Sequence, residues 1–312
     1  MDRGLALAAA IVLAACAPTP LPAQVRALGP PDPGAWGALA HEVDDLVFEG
    51  GRVHFEMRWR GGRVIQTARN DFIVPVTIAW SIGDLDNLSA DTATAGITVL
   101  PPALEVGARG PTAVLATFSI VDRSREFYRY LDFHAQFGAP DAQPDRYVYA
   151  IPFVAGDAHR IIQGMGGSFS HQGSNRYAVD FACPEGTPVV AARDGIVVAL
   201  NAAATGHGTT AEWTSYALTN FVLIAHADGT IGQYMHLAPG GVDVHAGDLV
   251  TRGQALGRSG NTGYSTTPHL HFQVMTAARD GLGAVSFPFE LLTAPRLAEK
   301  PIEGLQYRAW ED

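Results

Sequence analysis

Residues 259–274 read Ser-Gly-Asn-Thr-Gly-Tyr-Ser-Thr-Thr-Pro-His-Leu-His-Phe-Gln-Val. His269 and His271 stand two apart, and Phe272, Gln273 and Val274 follow; Phe and Val favour strands. A loop rich in Gly, Ser, Thr and Pro precedes them. In a strand, positions i and i+2 share a face. Two imidazoles then enter one pocket side by side, as two metal ligands or as one ligand and one proton-transfer group. The chain holds 11 histidines, enough for such a pair to arise by chance. The dyad therefore needs partners elsewhere in the chain.

The 312 residues suggest two domains, each large enough to bury its own core. Charged residues are scarce at 17%, while 34 Gly and 20 Pro favour strands and turns over long solvated helices. Net charge is −10 and no Lys/Arg cluster occurs, which argues against nucleic acid as a partner. Cys16 and Cys183 are the two cysteines, too few for a disulfide framework or a Cys-x-x-Cys metal site.

Residues 1–16 read as an export signal. Arg3 precedes an apolar run over 5–15, too short for a mature membrane-spanning helix. The run ends Leu13-Ala14-Ala15-Cys16, which resembles the bacterial lipobox. That resemblance implies a lipidated Cys16, a lipid anchor and a periplasmic location, with Ala17 after the Cys implying the outer membrane. Residues 17–40 are a Pro-rich linker that cannot build a core.

Residues 41–155 alternate like strands separated by turns such as Gly50-Gly51, Gly61-Gly62, Pro101-Pro102 and Gly110-Pro111. This predicts a β-sandwich-like N-terminal domain. Residues 124–137 fit either a short helix or a strand rich in Tyr and Phe. His41, His54 and His134 are isolated and read as structural.

Residues 156–290 form a second domain, again with short strands and no sustained helical period, so the chain is all-β. A Gly-rich passage brings His171 into a loop. Asp180 lies in the apolar run 177–182, on the strand face opposite Tyr177 and Phe181. A carboxylate there must be paired or hold a metal. Cys183 has the opposite parity to Asp180 and reads as a small buried apolar residue. Residues 291–312 read as a weakly patterned C-terminal tail.

His171, Asp180, His236, His269 and His271 thus fall at strands or their mouths within one domain. Three blocks around them, 170–198, 233–237 and 247–274, resemble the LytM/lysostaphin-type zinc metallopeptidases, which cut the peptides of bacterial cell walls. The resemblance covers about a third of the chain. It implies a LytM-type antiparallel β domain with Zn²⁺ held by His171, Asp180 and His271. It also implies that His269 and His236 are catalytic: His269 takes a proton from water and passes it to the leaving amine, and His236 donates to the developing oxyanion. Three protein ligands leave a fourth position open. No His-Glu-x-x-His motif is present.

The family's usual His-x-x-x-Asp spacing would put a histidine at position 176, which is Arg176; the nearest upstream histidine is His171, with His159 as the fallback. Coordination constrains space rather than sequence, so a longer loop can still deliver His171. His207, His226 and His245 read as exposed or structural, and Asn261, Tyr264 and Thr266 as loop residues within reach of a peptide. The expected function is zinc-dependent endopeptidase action on peptidoglycan stem peptides or cross-links. The alternatives are a non-catalytic LytM-type regulator that activates a separate amidase, and a plain β-barrel binding domain.

Overall fold

The computed structural model describes residues 23–26, 41–60 and 62–310, with side chains from Leu46 onward. The signal segment and Cys16 lie outside the described residues. The described chain is all-β: antiparallel sheets predominate, and the only helical elements among the described residues are three short 3₁₀ turns.

The N-terminal part has two sheets. One orders the strands His41–Phe48, Gly51–Arg60, Arg63–Asn70, Thr112–Ile120 and Leu88–Ala90. The other orders Ala23–Arg26, Tyr128–Phe137, Val76–Asp86 and Ala95–Leu100. Within residues 124–137, Tyr128–Phe137 is a strand and no helix forms, because Leu131, Phe133 and Ala135 recur with period two on the buried face. Phe55 from one sheet meets Phe133 from the other at 4.1 Å between ring centroids. Each such ring removed from water contributes about 2–3 kcal/mol. The buried Arg129 on the same strand donates to Gln66 Oε1 of the facing sheet.

The second part is built on a nine-stranded sheet. Its order is Leu249–Val250, Gly195–Asn201, Phe221–Ala225, Ile231–Met235, His269–Ala277, Val179–Ala182, Ala158–Gln163 and Gln306–Arg308, with Ala284–Phe287 also paired to His269–Ala277. A smaller sheet of Pro188–Val190, Ala255–Ser259 and Leu237–Val242 packs against it through Val189, Leu256 and Leu237. Residues 291–310, a tail by sequence pattern, fold back onto this body. Glu290–Ala294 pairs with Val148–Tyr149 and Gln306–Arg308 pairs with Ala158–Gln163, because Leu291, Tyr307 and Ala309 are buried in its core.

The central strand, His269–Ala277, is buried along its whole length. Leu270, Phe272 and Val274 enter the core shared with Val179, Phe181 and Tyr234. His269, His271, Gln273 and Met275 therefore face the other way. Met275 joins the core of the N-terminal sandwich, together with Phe221, Leu223 and Ile231. The sandwich thus covers one end of the sheet face whose other end carries the two histidines. Gly50 at the tip of a sandwich hairpin lies against the Val198 carbonyl, and Glu49 bridges Leu200.

Candidate metal centre

Strand register assembles the site. Asp180 pairs with His271 on the neighbouring strand, and His271 pairs with Met235 on the next. His269 pairs with Ala182, and His236 directly follows Met235. His171 comes from the loop between Ala158–Gln163 and Val179–Ala182.

All five side chains are buried. His271 Nδ1 lies 2.9 Å and His171 Nε2 3.1 Å from Asp180 Oδ1. One ligand atom from each of His171, Asp180 and His271 falls within 4.8 Å of the others. His269 Nε2 lies 3.8 Å from the same carboxylate oxygen. The rings of His236 and His269 sit 4.5 Å apart between centroids.

Backbone carbonyls set the imidazole tautomers. His171 Nδ1 donates to the Gly164 carbonyl at 2.9 Å, His236 Nδ1 to that of Thr262 at 2.7 Å and His269 Nδ1 to that of Thr267 at 2.7 Å. Each contact leaves Nε2 as a lone pair directed elsewhere. Thr262 is itself tied down, since its hydroxyl donates to the Leu237 carbonyl and accepts from Asn220 N–H. His236 takes a left-handed backbone with φ of 64°. For a non-glycine residue that conformation costs on the order of 1 kcal/mol and is retained where surroundings over-determine it.

Electrostatics follow from burial and this crowding. Burial opposes the charge on Asp180, but contacts with His171 and His271 hold its carboxyl well below the usual range. Burial also works against a charged His171, and the Asp180 carboxylate overrides it, so that imidazole is raised. His271 is lowered by burial, partly offset by Asp180. His236 is driven well below the ordinary histidine range by burial and by its neighbours His269 and His271.

The donor set fits a divalent metal. His271 keeps a buried ring nitrogen, Nε2, with no hydrogen-bond partner, and the buried His171 Nε2 faces Asp180 Oδ1 at 3.1 Å. Two imidazole nitrogens and one ionised carboxylate are the ligand types zinc prefers, and three protein ligands leave room for a fourth. The cavity beside them is about 220 Å³. Phe169, Trp213 and Tyr264 wall it, and Gln233, Met235 and Gln273 line its inner end.

The structure brings the five sequence-derived residues together and leaves the others apart. His159 stacks on Phe153 at 3.7 Å, with Nδ1 at the Ala182 carbonyl, outside the metal cluster. Arg176, where the usual spacing would put a histidine, lies over the Tyr177 ring instead. His207 contacts the Ser265 carbonyl, and His226 is buried against that of Asp194. Cys183 is buried in the core, and burial pushes its thiol up. Sequence reading missed Gln163, Trp213 and Gln273. No short motif marks them, because the fold rather than their spacing brings them to the site.

The sheet thus presents two histidines and a buried carboxylate to the cleft. Residues 174–281 match peptidase family M23, and the chain carries a domain of that family there. The match includes Asp180, His236, His269 and His271, and begins three residues after His171. The chain is 47% identical over 105 residues to glycyl-glycine endopeptidase ALE-1 of Staphylococcus capitis, covering 33% of this chain and 25% of that protein. It is 43% identical over 104 residues to lysostaphin of Staphylococcus simulans, covering 33% and 18%. It is 40% identical over 100 residues to peptidoglycan DD-endopeptidase ShyA of Vibrio cholerae, covering 32% and 20%. The matched stretch thus spans a quarter or less of these relatives. The solved structure of lysostaphin overlays with a TM-score of 0.30 at 33% identity, covering 41% of this chain and 47% of that one.

Proposed function

We propose that this chain is a zinc-dependent endopeptidase acting on peptide bonds of peptidoglycan, exported and anchored by lipid at Cys16 on the periplasmic side of a membrane. The observation that carries this is the convergence of His171, Asp180 and His271 within 4.8 Å, beside two further histidines whose Nε2 atoms are free of backbone contacts. The names of the relatives support the substrate class.

His171, Asp180 and His271 would hold the metal. A Zn²⁺ bound there would supply Lewis-acid activation of the scissile carbonyl and of a water nucleophile. His269, with Nδ1–H committed to Thr267, offers Nε2 as a base and returns the proton to the leaving amine. His236 has its Nδ1–H committed to Thr262 and is kept neutral by burial, so its Nε2 is an acceptor. The oxyanion-donor role that the resemblance implies for His236 therefore requires it to take a proton first. The cleft's aromatic walls exclude water around the peptide.

Metal analysis of the purified protein, combined with digestion of purified peptidoglycan, tests this. The expected outcome is about one zinc per chain and release of muropeptides that His271→Ala abolishes. Zinc-free protein with no release would overturn the enzyme in favour of the non-catalytic regulator.

A further inference from the structure

Resting on the metal centre just proposed, we infer that Gln163 and Gly164 form a two-residue clasp that holds His171 and Asp180 in ligating geometry. Gln163 is thereby a positioning residue for the metal.

A bulge creates the clasp. Along the strand Ala158–Gln163, Arg160 pairs with Ala182 and Ile161 with Phe181, but Gln163 pairs with Asp180. Ile162 is the extra residue. Regular pairing would set Ile162 opposite Asp180; the bulge sets the Gln163 amide there instead. Bulges beside active sites commonly re-aim a side chain in this way. Gln163, Asp180, His271 and Met235 then form one row across four strands.

The Gln163 side chain uses its whole hydrogen-bonding capacity. Nε2 donates to Asp180 Oδ2 at 3.1 Å and to Ser170 Oγ at 2.7 Å. Oε1 accepts from the backbone N–H of Phe169 and of Ser170, each at 3.2 Å. An amide has two donors and two acceptor sites, and each is filled. The bond to Oδ2 orients Asp180 so that Oδ1 faces His171 and His271. The bonds to residues 169 and 170 fasten the loop immediately before His171. Gly164 completes the grip: its carbonyl accepts from His171 Nδ1, and its N–H donates to Glu303 in the C-terminal segment.

The clasp explains how a ligand nine residues before Asp180 can serve. In a His-x-x-x-Asp spacing the short connection itself positions the histidine. Here the long connection does not, and one side chain from the preceding strand ties both ligands together. Outer-shell partners of this kind typically change metal affinity by about 10–100-fold.

The test measures zinc affinity by competition with a chromophoric chelator, for the purified wild-type protein, Gln163→Met, Ser170→Ala and the exposed-site control Arg160→Gln. Visible absorption of the Co²⁺-loaded forms and thermal unfolding with excess chelator accompany it. Gln163→Met, of similar size, is expected to weaken zinc by about 10–100-fold and to shift the Co²⁺ bands. Its chelator-treated unfolding temperature should stay near wild type. Ser170→Ala, which removes one anchor and is the gentler change, should weaken zinc by about 3–10-fold, and Arg160→Gln should not. Zinc affinities within about twofold of wild type for both Gln163→Met and Ser170→Ala, or no shift in the Co²⁺ bands, overturn the clasp while leaving the metal centre standing. A wild-type protein that binds no zinc is a different result: it removes the centre itself, and the clasp with it.

Discussion

Asp180 and His271 lie directly opposite each other on adjacent antiparallel strands, with His271 Nδ1 2.9 Å from Asp180 Oδ1. Residues 91 positions apart are thereby locked as a pair by strand register. A one-residue slip would turn either side chain to the opposite face of the sheet. Register on the buried strand His269–Ala277 therefore fixes two of the three residues of the candidate metal centre relative to each other.

Ligand identity is the first expectation. His171→Ala and His271→Ala should each weaken zinc by at least about 100-fold, while His159→Ala, on its Phe153 stack, should leave zinc content unchanged. Metal analysis after dialysis against a buffered zinc concentration distinguishes them. Retention of zinc by His171→Ala would remove that residue from the ligand set.

His269 and His236 should behave differently from the ligands. Neither belongs to the metal cluster, so alanine at either position should keep the zinc and lower kcat by about 10²–10⁴-fold. Zinc content and muropeptide release, measured on the same preparations, show the split. Loss of zinc in step with activity would place these residues among the ligands.

Stability should fall in mild acid through His226, which is not part of the candidate metal cluster. Burial pushes this imidazole down to about 4, and the nearby Arg193 cation adds to the effect. Arg193 is itself paired with Asp228 and Asp145. The unfolded chain takes up the proton first, near pH 6.5, so the neutral folded form is favoured above that pH. The contribution, at most about 3 kcal/mol, is lost as pH drops from 6.5 toward 4. Urea unfolding of chelator-treated protein at pH 7 and pH 4.5 reads it. His226→Gln should flatten the difference between the two, and an unchanged difference would assign the acid sensitivity elsewhere.

Gly50 should tolerate no side chain. Its φ is +114°, and an added Cβ would stand 2.3 Å from the Val198 carbonyl oxygen across the contact between the sandwich and the nine-stranded sheet. Gly50→Ala therefore combines a disfavoured backbone with a clash against rigid backbone, and should cost about 2 kcal/mol or more. Thermal unfolding measures it. A variant as stable as wild type would show that the hairpin tip yields freely.

Much of this protein is decided by local pattern. Period-two burial in Tyr128–Phe137 defines a strand and its faces, because successive side chains in extended backbone point opposite ways; His269–Ala277 follows the same alternation but is buried on both faces. The same rule places His269 and His271 together and sends Leu270 and Phe272 into the core. Asp180 stands out in sequence because a lone carboxylate in an apolar strand needs a partner. Turn residues such as Gly50 and Gly51 mark the hairpins.

Other features exist only through contacts distant in sequence. The sequence names His171 as first ligand with His159 as the fallback, but the packing that stacks His159 on Phe153 and carries the loop of His171 over Asp180 is tertiary. The role of Gln163 depends on a bulge, which a string of residues with no spacing rule cannot reveal. Residues 291–310 lack a strong pattern, yet they pair because neighbouring strands supply the edge. By itself the sequence determined which residues are strand-forming and which side chains carry chemistry, since these follow from residue type and near-neighbour spacing. Only the tertiary structure decided which of those side chains meet, because register and bulges bring Asp180 and His271, 91 residues apart in sequence, to 2.9 Å.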